Sequence, residues 1–161
     1  MESFEVVHLL FESWPAKSIP NSDGATALMN FINLVYPANT RPSNPPLYNP
    51  YPDSPLLQPD PPIVVHCSEG GRSGTFLAIN SLLRKYKCIA SPYDDTHTAP
   101  HIPPSPLGPT PSDIFVDPVL REVDHLRDQR ASLVDSEAQV RLIAVCLALT
   151  NLRQSSGSST K

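Results

Sequence analysis

The residues best suited to chemistry lie in one run, His66-Cys67-Ser68-Glu69-Gly70-Gly71-Arg72-Ser73-Gly74-Thr75. A loop between a buried strand and a helix N-terminus turns successive backbone N–H groups inward. The positive end of the helix dipole adds to them, and the result is an anion site. A cysteine at the start of such a loop feels a field that favours thiolate at neutral pH. An arginine at its end offers a bidentate fork to two phosphate oxygens. The small residues between them let the backbone approach an anion closely. Thiolate, amide cradle and guanidinium together suit nucleophilic attack on a phosphate ester.

The flanking sequence contains the elements such a loop needs. Ile63-Val64-Val65 is a short β-branched run leading into the loop, and residues 4–11 (FEVVHLLF) form another, stopped by Trp14-Pro15. Both read as buried strands, with Ile63–His66 central in a short sheet. After the loop, Leu77, Ile79, Leu82, Leu83 and Tyr86 recur as on a helix beginning near Arg72, with Lys85 and Lys87 suiting its C-terminus. Three more helices are expected. One spans about Asp23 to Val35, capped from Asn21-Ser22-Asp23; one carries Val116, Val119, Leu120, Val123 and Leu126; one opens at Ser136 with Gln139 as a capping box and runs to about Arg153. The predicted fold is α/β, a short, partly open sheet flanked by helices.

The run from His66 resembles the phosphate-binding loop of the protein tyrosine phosphatases, whose pattern is His-Cys, five residues, Arg, then Ser or Thr. The resemblance implies Cys67 as a nucleophile forming a phosphocysteine and Arg72 as the ligand of the phosphoryl oxygens. It implies Ser73 as the hydroxyl that helps the thiolate leave, with Ser68, Glu69, Gly70 and Gly71 lining the phosphate. His66 would order the loop by hydrogen bonding. Phe11-Glu12-Ser13-Trp14-Pro15 resembles the strand and Trp-Pro-Asp loop of the family, and Leu126 through Gln139 its Arg-rich helix and glutamine loop. The implied substrates are phosphotyrosyl proteins, with no metal or cofactor. The resemblance covers nearly the whole chain outside the proline tracts and matches the C-terminal half of the family domain. The N-terminal half, with its phosphotyrosine-recognition loop and most of its sheet, has no counterpart before Met1.

Three departures point to weak or lost activity. Four residues separate Cys67 from Arg72 instead of five, a deficit of up to about 3.5 Å of chain and one inward amide. Ala16 occupies the position of the aspartate that protonates the leaving phenolate, a loss worth typically ~10²–10⁴ in rate. Asp135 stands where the first loop glutamine would position water, and Gln139 remains as the second. A carboxylate there repels a phosphate dianion and is also able to act as a base. Two further readings stay open: a phosphotyrosine-binding pseudophosphatase without turnover, and an interaction protein using its prolines.

Those prolines number 20 of 161 residues, ten of them between Pro37 and Pro62 and seven between Pro92 and Pro111. Residues 37–62 and 91–112 therefore read as disordered insertions, open to SH3 or WW domains. The expected domain spans 1–154, followed by a disordered tail, Ser155–Lys161. A net charge of −4 and a pI near 5.6 do not favour nucleic acid or an anionic membrane. No stretch is apolar for long enough to span a bilayer, and the acidic N-terminus is not a signal peptide, so a cytoplasmic location is expected. Three scattered cysteines form neither a disulfide framework nor a zinc site. Cys88 and Cys146 read as small buried residues, and His97, His101 and His125 as solvated side chains. The charged run Arg121 to Arg130 reads as a solvated helix face.

Overall fold

The computed structural model describes residues 6–15, 18–39, 63–89, 105, 108–109, 111–112 and 116–157. Among the described residues four helices form the body: α1 (Ser22–Asn39), α2 (Gly71–Lys85), α3 (Pro118–Gln129) and α4 (Glu137–Gly157). Each start has a local cause. The Asn21 side chain accepts the Gly24 N–H at 2.8 Å to open α1. Asp117 accepts from the N–H groups of Val119 and Leu120 ahead of α3, whose first residue is Pro118. The Gln139 N–H donates to Ser136 Oγ at 3.3 Å to open α4. At α2 the preceding residue is Gly70, with φ +98° and no side chain to cap anything. The first N–H groups of α2 are thereby left for another acceptor.

α2 is the centre of the packing, in contact with both α3 and α4. Phe76, Ala78, Ile79, Leu82 and Leu83 are buried, and they meet Val119 and Val123 of α3 and Leu142, Ile143, Cys146 and Leu147 of α4 in one core. α1 adds Leu28, Ile32 and Val35 to that core. It reaches α2 through a run of rings, Phe11 to Phe31 at 5.3 Å between centroids and Phe31 to Phe76 at 6.0 Å. The opposite face of α4 carries Val145, Leu149 and Leu152 in the open.

The expected sheet is absent among the described residues. Residues 6–11 and 63–66 have no regular secondary structure, and neither forms a ladder with another described segment. Their side chains divide between core and solvent only near the ends that approach the body. Leu9, Phe11 and Val65 pack on the core, while Leu10 and Val64 face solvent, Val64 at 87% exposure. A strand needs a neighbour to take its N–H and C=O groups, and no described segment supplies one. Among the described residues the body is therefore helical, with two irregular arms laid on it, where an α/β layer was expected.

α1 also runs past Val35 and includes Pro37, so the first proline tract does not wholly exclude helix. α4 likewise continues to Gly157, past the expected start of the tail. Most of both proline tracts, with the SH3 or WW docking expected of them, lies outside the described residues. Within the second, Ser105 is docked on the body, its hydroxyl donating to Asp128 Oδ1 at 2.8 Å. Among the described residues no helix is long and apolar enough to cross a membrane.

Candidate active site

Cys67 ends the second arm, and the chain turns through Ser68, Glu69 and Gly70 directly into α2. In that turn the Gly70 N–H donates to Cys67 Sγ at 3.1 Å, so the sulfur takes the place of the missing helix cap. Burial pushes the thiol up. The Ser73 hydroxyl and the N–H groups of Ser73, Glu69 and Gly70 push it down by more, and its pKa falls from 9.0 to about 7. Ser73 Oγ is buried and makes no hydrogen bond of full geometry, so it acts on the sulfur as a neighbouring dipole. His66 is exposed and makes no hydrogen bond among the described residues, contrary to its expected ordering role.

Arg72 lies in the first turn of α2 with its guanidinium held at two points. Nη1 donates to the Trp14 carbonyl at 2.8 Å and Nη2 to Ser68 Oγ at 2.9 Å. Trp14 is itself buried, and its indole N–H donates to the Ser18 carbonyl at 2.7 Å. The Trp14-Pro15 segment is thus tied to the arginine. Ala16 lies outside the described residues.

The loop between α3 and α4 closes the other side. Its approach requires glycine. A Cβ on Gly74 would stand 2.5 Å from the Val134 nitrogen, and a Cβ on Gly71 2.5 Å from the Asp135 carboxylate. Arg127 secures this loop, with Nε donating to the Leu133 carbonyl at 3.3 Å and Nη2 to the Val134 carbonyl. The charged run of α3 is therefore not wholly a solvated face. The Gln139 side chain is buried, and its Oε1 accepts the Asp135 N–H at 3.0 Å. Cys67, Ser68, Glu69, Gly71, Arg72, Asp135 and Gln139 line a single cavity of about 10 Å³, the space of one water.

The structure thus brings together the residues from Cys67 to Ser73 with Asp135 and Gln139, and it anchors Trp14 beside them. It also adds Arg127 and Gly74. Only the recurrence of small residues hinted at Gly74, and no spacing in the sequence marks Arg127 as a clamp.

A tight amide turn presenting a thiol ahead of a helix that carries an arginine in its first turn is an arrangement able to hold an anion beside a thiolate. The family model for protein-tyrosine phosphatase matches residues 1–101, and the chain belongs to that family. It is 37% identical over 86 residues to receptor-type tyrosine-protein phosphatase eta of Gallus gallus, a match covering 53% of this chain and 5% of that protein. It is 33% identical over 99 residues to tyrosine-protein phosphatase 2 of Dictyostelium discoideum, covering 61% and 20%. To tyrosine-protein phosphatase corkscrew of Drosophila melanogaster it is 28% identical over 142 residues, covering 86% and 12%. The chain spans a fifth or less of each of these relatives. No solved structure matches it significantly.

Proposed function

We infer that the domain hydrolyses phosphotyrosine in proteins through a cysteinyl-phosphate intermediate, weakly. The observation that supports this most is Cys67 at about pKa 7 in a turn of amide donors, with Arg72 one turn of chain away. In this reading the thiolate attacks phosphorus, the S–P bond forms and the aryloxide leaves. Arg72 holds two phosphoryl oxygens and stabilises their charge in the transition state. Ser73 stabilises the thiolate when it is released. With alanine at position 16, the leaving oxygen departs without a proton, so leaving groups of low pKa should outpace phosphotyrosine by roughly 10² or more.

The second reading is a pseudophosphatase that binds phosphotyrosine without turnover. Favouring it are alanine at position 16 and the four-residue spacing from Cys67 to Arg72; in either reading the water-sized cavity and the engagement of Arg72 with Trp14 and Ser68 must change to admit a phosphoryl group. One experiment separates the two. In stopped flow with nitrophenyl phosphate, the enzyme should release nitrophenolate and Cys67→Ser should show only background. Equal rates, together with calorimetric binding of a phosphotyrosyl peptide but not its unphosphorylated twin, would leave the pseudophosphatase.

A further inference from the structure

We propose that Asp135 is the general base of the second chemical step, taking the proton of the water that releases phosphate from Cys67. The proposal rests on the reading that Cys67 becomes phosphorylated. The carboxylate reaches the site because Gly71 has no side chain: its Cγ, Oδ1 and Oδ2 lie 2.5, 2.5 and 2.6 Å from where a Cβ would stand. It lines the same cavity as Cys67, so once that cavity opens to hold a phosphoryl group on the sulfur the carboxylate stands at its wall beside the attacking water.

The backbone under Asp135 is fixed while its carboxylate is uncommitted. Gln139 accepts its N–H, and Arg127 holds the carbonyls of the two residues before it. Among the described residues the carboxylate itself makes no hydrogen bond or ion pair. Gln139, with Oε1 engaged, keeps its NH₂ as the donor that a water oxygen accepts from. The charged and titratable groups facing Asp135 are Cys67, Glu69 and Arg72 around the start of α2, with Arg127 behind it on α3. Asp135 is also open to solvent, so a captured proton has a path to bulk water. In the step, the water oxygen bonds to phosphorus as one of its protons passes to an Asp135 oxygen. The S–P bond breaks, its electron pair returns to Cys67 as thiolate, and hydrogen phosphate leaves. The carboxyl then loses its proton to water.

The test is stopped-flow turnover of nitrophenyl phosphate by the whole chain. Asp135→Asn should keep the first turnover, seen as a nitrophenolate burst near the enzyme concentration, and slow the steady state by roughly 10² or more. Phosphoryl mass should accumulate on the Cys67 peptide, and Asp135→Glu should recover most of the steady-state rate. A wild-type steady-state rate in Asp135→Asn would overturn the proposal. So would full activity in Asp135→Gln, since a carboxamide positions water but does not take its proton. A slow steady state in Glu69→Gln with Asp135→Asn unaffected would move the base to Glu69. Turnover that persists in Cys67→Ser, with no phosphoryl mass on the Cys67 peptide of any variant, would remove the phosphocysteine reading itself.

Discussion

The turn entering α2 and the face of α4 packed on α2 each hold a cysteine and treat it in opposite ways. Burial pushes both thiols up. At Cys146, in a wall of leucine, isoleucine and valine, nothing offsets that push and the pKa rises to about 11. At Cys67 the N–H groups of Glu69, Gly70 and Ser73, with the Ser73 hydroxyl, reverse it to about 7. What separates a thiol of lowered pKa from a packing residue here is therefore the orientation of a few dipoles, which depends on where a helix begins.

Alkylation is the sharpest way to break that comparison. Four units of pKa make ~10⁴ in thiolate fraction at pH 7, of which the greater nucleophilicity of the more basic thiolate returns about half on a logarithmic scale. With Cys146 also buried, iodoacetamide should label Cys67 at least about 10²-fold faster, with a rate rising through a midpoint of about pH 7. The sign is that of a depressed group: thiolate is favoured in the folded state, so this contribution to stability is full above about pH 9 and is lost as pH falls through about 7. Equal labelling of the two peptides would refute the contrast.

Gly74→Ala tests what places the α3–α4 loop against the turn. Its Cβ would meet the Val134 nitrogen at 2.5 Å and Leu133 Cβ at 2.8 Å, and backbone does not move aside cheaply. A loss of about 1–3 kcal/mol is expected in urea denaturation, less the ~1 kcal/mol by which alanine favours helix. At Gly71 the nearest atoms are those of the movable Asp135 carboxylate, so Gly71→Ala should cost less. The reverse order would show that the loop is not held by this contact.

The smallest effect belongs to Ser73→Ala. The Cys67 midpoint should move up from about 7 toward an ordinary thiol. Stability should hold or rise by up to about 1 kcal/mol, because a buried hydroxyl with no hydrogen-bond partner is removed. An unmoved midpoint in a pH series of alkylation would leave the backbone amides as the whole cause.

Local sequence carried a good deal of this. Helical spacing announced the four helices, and the order of apolar run, small-residue loop and helix announced the turn at Cys67. The Ser136 and Gln139 pair shows where such reading stops. The Ser136 arm of the expected box forms, but the Gln139 side chain turns instead to the Asp135 N–H, because that loop lies against α2. The sheet failed for a related reason. Residues 6–11 and 63–66 have the composition of strands, yet pairing requires a second segment, and a single run of β-branched residues carries no information about its neighbour.

Helix periodicity and turn composition act over a few residues, through backbone sterics and the nearest hydrogen bonds, so they are already present in the order of residues. The grip of Trp14 on Arg72 spans 58 positions, and the clamp of Arg127 and the seating of Asp135 over Gly71 join separate elements. These contacts arise only when the helices pack, because burial of the shared core sets the distances at which donors and acceptors meet.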